Sequence, residues 1–312
     1  YQKSEKIFGE IVSIDDLFKD SQHLLQISII EPMYLNGKKL FQNNQYKNAY
    51  YQFNDICTRN VNYKDVQLLK EKALKAAQLS IAILPFYSSS SRSLYSQTIL
   101  NQVTDDLLKV NNPFIQLIDR SSILRILDNQ KFITSNILDI KKSVNIGKLI
   151  GAKTVFFARI NDLVIENPLP KIEQKIAYIK TQEKVYDEKT KLYRTSLKYE
   201  ETEYSEIYIE HTIRINFDFQ LISTENGQIL TSESINYTTK DNVHFAKYSL
   251  GNYTLLSPNP NTPHLAKEKE KLEQLFKNNS EIKSIETLIC EACNYTSNQV
   301  VKDILTYENH RP

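Results

Sequence analysis

The chain has 312 residues, a formal net charge of +2 and charged residues at 24%. It is long enough to bury one large core or two smaller ones, and its near-neutral balance gives no global electrostatic case for nucleic acid or an anionic membrane. No apolar run approaches the roughly 20 residues that a membrane-spanning helix needs. Three cysteines, Cys57, Cys290 and Cys293, form no zinc-ligand array.

The chain begins at Tyr1, and its polar opening YQKSEK is not a signal sequence. The first 30 residues are hard to place, with one short helix expected in DDLFKDSQHLLQISI. Residues 31–77 read as helices. In YLNGKKLFQNNQYKNAYYQF, Gly37, Leu40, Tyr46, Ala49 and Phe53 fall at the small, large and aromatic positions of one tetratricopeptide-like hairpin, where small residues let two antiparallel helices approach closely. Only one copy is present, and a free-standing solenoid needs about three, so the hairpin is expected to pack on a neighbouring domain. A peptide-binding groove is the sharper alternative. The helical region is assigned to 1–78 and the second domain to 79–312.

At residue 80 the period changes. SIAILPF is an apolar run of strand length ending in a proline, followed by the small, polar loop YSSSSRS. SQTILNQVTDDLLKV places Ile99, Leu100, Val103, Leu107 and Val110 on one helical face, and FIQLID follows as a strand. Strand, helix and strand in this order predict a sheet with crossover helices. The turn Asp119, Arg120, Ser121, Ser122 then enters a helix carrying Ile123, Leu124 and Leu127. It lacks the glycines of a phosphate loop, so capping by Ser121 or Ser122 is the expected role, worth about 1 kcal/mol. DIKKSVNIGKLIG predicts a helix closed by Gly151 as a left-handed cap, and AKTVFFARINDLVI a buried strand.

Beyond it, TIRINFDFQLIS alternates strictly, with Ile213, Ile215, Phe217, Phe219 and Leu221 on one face, and predicts a half-buried strand. Asn226-Gly227 predicts a tight hairpin turn with two central residues of positive φ, and ILTSESINY returns. A charged helix, LAKEKEKLEQLF, and a long helix from about 281 to 307 end the chain. The pair Cys290 and Cys293 lies inside that last helix, where two small buried side chains are expected rather than a redox couple.

Taken in order, these segments resemble the CsgG/HfaB family of curli-secretion lipoproteins. The resemblance rests on Pro85-Phe86 ending a strand, Asp119-Arg120 before a Leu-rich helix, the Gly147 to Gly151-Ala152 segment entering a strand, and the hairpin at Gly227, over roughly residues 79–307. It implies an α/β (α+β) fold, an anticodon-binding-domain-like mixed sheet with flanking helices. It also implies a bacterial location in the periplasm, with a lipid on a cysteine upstream of Tyr1 anchoring the protein to the outer membrane. Partners would be other envelope proteins or further copies of the chain, as a homo-oligomer, and no cofactor is implied. Some members form export channels by donating β-hairpins to a shared barrel, while others are accessory factors.

The barrel expectation can be weighed on the insert at about 171–212, which is long enough for two strands around YDEKTKLY. Lys180 and Lys184 fall on one alternate set and Glu183 and Asp187 on the other. A transmembrane strand needs one apolar set facing lipid, and Lys or Arg at the midplane costs about 2–4 kcal/mol. A solvated arm is therefore expected, with Tyr186, Tyr193, Tyr199, Tyr204 and Tyr208 either anchoring a partner or covering the sheet. Its interleaved Glu and Asp residues argue against nucleic acid. The region TTKDNVHFAKYSLGNYTLLSPNP, less polar but without sustained alternation, is a second candidate contact. The five histidines are scattered, with no H-E-x-x-H pair, G-x-S-x-G elbow or Walker-type loop. The expected function is a non-catalytic assembly, scaffold or secretion-accessory role, with a subunit of an export channel or an activator of a cell-wall synthesis enzyme as alternatives.

Overall fold

The fold is that of a computed structural model whose described residues are 1–15, 18, 20–85, 93–119, 123, 140–258 and 266–311. Among them are eight helices and seven strands of a mixed α/β (α+β) fold. The helices are α1 (Gln2–Ile14), α2 (Ser21–Gln42), α3 (Tyr46–Arg59), α4 (Val66–Ala77), α5 (Ser93–Val110), α6 (Ile140–Leu149), α7 (Ala266–Lys277) and α8 (Ile285–His310). The strands are β1 (Leu79–Ile83), β2 (Ile115–Leu117), β3 (Thr154–Glu166), β4 (Lys171–Asp187), β5 (Leu192–Ser223), β6 (Ile229–Lys247) and β7 (Leu256–Ser257). They follow the order β2-β1-β3-β5-β4-β7, with β6 pairing β5. Two compact units divide the chain. The first holds residues 1–159, 218–234 and 297–312, and the second 160–217 and 235–296, so β3, β5, β6 and α8 each run from one into the other.

In the first unit the helical region is more extensive than the sequence predicted. α1 has no buried residue, and α2 begins ten residues before the expected start and continues through Pro32. The hairpin of α2 and α3 forms as its small residues suggest. A Cβ on Gly37 would lie 2.6 Å from a ring carbon of Phe53, so only glycine lets α2 approach the fully buried Phe53 and Ala49 of α3. Asn44, at φ 61°, turns the chain between the helices. Leu40 packs against the same cluster, together with Ile30, Tyr34, Val66 and Ala73, while Tyr46 donates to Asn44 Oδ1 at 2.6 Å.

β1 pairs in parallel with β2 and with β3, as expected of strands joined by crossover helices. α6 ends in a Schellman motif: Gly151 has φ 73°, its N–H donates to Lys148 O at 3.1 Å, and Ala152 N–H donates to Gly147 O at 3.0 Å. Gly147 lies where α6 meets β3, and an added Cβ would fall 2.4 Å from Val155 and 2.5 Å from Thr224.

The hairpin at Gly227 differs from the expected tight turn. Gly227 alone takes a positive φ, 74°, and its N–H donates to Ser223 O at 3.0 Å. Asn226 Oδ1 accepts from Gln228 N at 3.0 Å. Side-chain hydrogen bonding by Asn226 thus stabilises a longer loop, in which only glycine needs the left-handed region.

A buried ionic cluster organises the C-terminal end of α8. Glu308, 1% exposed, pairs with Lys47 at 2.8 Å and accepts from Asn112 Nδ2 at 3.1 Å. Lys47 also donates to Arg311 O at 2.8 Å. Arg311 in turn donates to Ala77 O at the end of α4. Lys153 donates to Gln78 O at 2.7 Å, to Lys75 O at 3.3 Å and to Ala76 O at 3.3 Å. Two cations therefore meet the unsatisfied carbonyls that close α4, and burial, followed by the nearby Arg311 charge, holds the Lys153 ammonium below its ordinary pKa.

Candidate interaction arm

The second unit is built around the ribbon of β4 and β5. The strands pair antiparallel from Lys171↔Tyr208 to Asp187↔Leu192, and residues 188–191 close the turn. Asp187 makes that turn: its carboxylate accepts from Lys189 N at 2.9 Å and Thr190 N at 3.3 Å, and Lys191 takes φ 48°. The hydrogen bond from Lys189 N holds the Asp187 carboxyl below the usual range. Arg194, across the ribbon, pairs with it at 3.1 Å.

Alternation gives the ribbon two faces. The packed face carries the odd-numbered residues of β4 and the even-numbered ones of β5. At its base, Ala177, Ile179 and Tyr204 meet Leu256, Leu272 and Phe276, with the Tyr204 and Phe276 rings 5.5 Å apart. Its charges, Glu183 apart, are paired within the unit. Glu173 lies 2.7 Å from both Lys171 and Lys175, and hydrogen bonds from these two, Lys171 first, pull its carboxyl down to about 2. Glu206 accepts from or pairs with His244 at 2.7 Å.

The open face carries the remaining residues, of which only Ile207, at the base, is buried, against Val243 and Phe245 of β6. It exposes Ile172 (57%), Ile176 (54%), Tyr186 (49%), Tyr193 (71%) and Leu197 (50%), alternating with Lys180, Lys184, Glu201 and Glu203. No residue between 180 and 199 is buried on either face. Pairing also thins out toward the tip, since β7 meets β4 only at Tyr178 and Ile179.

The five tyrosines singled out in the sequence therefore separate. Tyr186, Tyr193 and Tyr199 lie on the open face, with the first two in cross-strand contact at 5.2 Å. Tyr204 is taken up by the core under α7, and Tyr208, on the packed face, donates to Glu210 at 2.6 Å. Ile172, Ile176 and Leu197 were not recognised as candidates. The alternation of β4 could have revealed the first two, but only the register sets Leu197 on the same face, opposite Gln182. The second candidate region is also ordered differently from expectation: β6 continues to Lys247, burying Val243 and Phe245 against Ile207.

The other family-motif residues do not gather into a site. Pro85 and Asp119 line a cleft of about 530 Å³ at the carboxyl ends of β1 and β2, with Asn101, Thr104, Asp105 and Leu108. Open α/β sheets bind ligands at such ends, yet the described lining is acidic and apolar and offers no cation for a phosphate. Phe86, Arg120, Ser121 and Ser122 lie outside the described residues, as do Leu124 and Leu127. Ile123 is helical and buried, and its N–H donates to Asp119 O at 3.3 Å. Gly147, Gly151, Ala152 and Gly227 serve the backbone as described above.

Cys293 is buried, but Cys290 is exposed, which corrects the expectation of two buried thiols. A three-residue step on a helix turns the side chain by about 60°, enough to carry Cys290 off the core face. Burial first, then the neighbouring Cys290, pushes the Cys293 thiol up to about 11. Among the described residues no three His, Cys, Asp or Glu side chains form a metal site, and no helix is long and apolar enough to cross a membrane.

Geometry and chemistry thus define an α/β protein carrying a two-stranded ribbon whose distal part is exposed on both faces and whose open face carries most of the exposed aromatic and aliphatic side chains. Compared with protein-family models and with curated proteins, the chain has no match.

Proposed function

We propose that this chain is a non-catalytic assembly or scaffold component of the CsgG-like kind that its sequence resembles, facing the periplasm, and that it holds its protein partners through the β4–β5 ribbon. The carrying observation is the distal ribbon, residues 180–199, where an apolar stripe stays in solvent on a hydrogen-bonded frame. A two-stranded ribbon gains little stability by itself. Exposed aromatic and aliphatic side chains on such a frame favour a partner surface, where they are already positioned and lose little entropy on binding.

Charge favours water over hydrocarbon as the ribbon's surroundings. Lys180 and Lys184 project from the open face and Glu183 and Asp187 from the packed face, so neither face suits lipid. Ile179 and Glu200 are cross-strand partners, so an Asn-Gly turn joining them removes 180–199 without disturbing the register below. Affinity capture from native envelopes should recover partners with the full chain and lose them with the shortened one. An unchanged partner set, or a ring that forms only in detergent, would contradict the reading.

A further inference from the structure

We propose that the open face of the ribbon is built to pair with the same face of a second copy, the two ribbons lying antiparallel about a two-fold axis at the rank of Ile179 and Glu200, midway between Tyr178 and Lys180. This rests on the ribbon being the interaction element and names its occupant.

Two observations carry it. The first is the distribution of charge. From Lys180 to the turn, the open face presents Lys180 and Lys184 and no acid. From Tyr178 back to Ile172, it presents Glu201 and Glu203 and no base. The apolar residues straddle the same midpoint, Ile172 and Ile176 on the basal side and Tyr186, Tyr193 and Leu197 on the distal side. A two-fold interface requires a surface that complements itself, residue i meeting j while j meets i. Antiparallel stacking about this midpoint sets the basic half of each copy on the acidic half of the other and apolar on apolar. Parallel stacking would oppose like charges, which disfavours it.

The second observation is how the ribbon's charges are satisfied. Its ion pairs, Glu173 with Lys171 and Lys175, Asp187 with Arg194, Lys198 with Glu200 and Glu206 with His244, all lie on the packed face. Among the described residues, Lys180, Lys184, Glu201 and Glu203 take part in none. The packed face pairs every charge but Glu183 and the open face pairs none, leaving four charges whose opposites sit on the other half of the same face.

The contact is small. Seventeen paired positions spaced about 3.3 Å apart give a ribbon about 50 Å long and about 10 Å wide, so roughly 500 Å² is covered per copy and roughly 1,000 Å² in all. That lies near the lower limit for a specific interface, and the dimer should be weak, reversible and sensitive to salt.

Sedimentation equilibrium of the full chain, without detergent and over a range of protein and salt concentrations, tests this. The wild type should show a monomer–dimer equilibrium that weakens as salt rises. Lys180→Glu with Lys184→Glu should weaken it at least tenfold, and so should Glu201→Lys with Glu203→Lys. Mixing these two variants should restore a heterodimer, and combining all four changes in one chain should restore the homodimer. Glu183→Lys, on the packed face, should leave it intact, with circular dichroism confirming the fold of each variant. A wild type monomeric at every concentration, or a dimer indifferent to both reversals, would overturn the inference. If heterologous partners were still lost on removing 180–199, the ribbon would remain the interaction element. If they were also unaffected, both readings would fail.

Discussion

Replacing Gly147 by alanine tests how tightly α6 is pressed onto the sheet. On an isolated helix the change stabilises by about 1 kcal/mol. Here the added carbon would lie 2.4 Å from Val155 Cγ2 and 2.5 Å from Thr224 Cγ2, more than 1 Å inside ordinary contact. Neither neighbour can turn aside freely. Val155 is fully buried, and Thr224 is held by its hydroxyl, which donates to Ala152 O at 2.6 Å and Lys153 O at 3.0 Å. Overpacking costs about 1–3 kcal/mol, and with two opposed contacts the upper part of that range applies, leaving a net loss of about 2 kcal/mol. Gly9→Ala is the matched control, since nothing lies within 4 Å of its added carbon on α1, and it should increase helix protection there. Urea unfolding of the full chain followed by circular dichroism, with native-state hydrogen exchange in α6 and β3, measures both. A Gly147→Ala protein as stable as the wild type would refute the close approach of α6 to β3.

Three further outcomes follow from the side-chain chemistry. Glu308→Ala should destabilise the first unit by about 3–5 kcal/mol by stranding Lys47, whereas pairing Glu308→Leu with Lys47→Met should recover most of the loss in the same urea experiment. Iodoacetamide at pH 8 should alkylate Cys290 and leave Cys293 unmodified in the folded chain, read by peptide mass spectrometry, because burial raises the Cys293 thiol to about 11 and only the thiolate reacts. The Glu173 carboxyl should titrate at about 2 by carbon NMR. Its folded value lies below its unfolded one, so its contribution to stability is present above the ordinary carboxylate range and lost as pH falls toward 2. Lys171→Ala with Lys175→Ala should return the midpoint toward 4.5, and a wild-type midpoint already there would contradict the pairing.

Periodicity made much of this fold legible. The parallel β1, β2 and β3, the helix α5 and the long alternation of β5 are all written as runs of apolar residues at spacings of two or three to four, and each formed where expected. Gly151 and the turn at 188–191 were legible for a related reason, since a left-handed cap and a short loop between complementary strands have local signatures. What local pattern could not give was partnership. α1 does carry an apolar stripe, Phe8, Ile11 and Val12, but it is short, opens on polar residues and is only half-buried, so it is easily passed over. Asn226-Gly227 reads as a two-residue turn until the Asn226 side chain is seen accepting from Gln228. Nor does sequence alone show that Tyr204 meets Phe276 while Leu197 stays in solvent. The segregation of charge on the open face depends on cross-strand register, which sets Lys180 beside Tyr199 and Ile176 beside Glu203. The cluster at Glu308 joins residues more than 250 positions apart, beyond any local signal.

Crosslinking from the distal ribbon addresses the central claim most directly. With benzoylphenylalanine in place of Leu197 on the open face, irradiation in the cells that make the protein should yield discrete protein adducts, whether to a second copy or to another chain. The same group at Ser196, on the packed face, should yield far fewer. Lipid adducts from either position would put the ribbon in hydrocarbon and contradict the account.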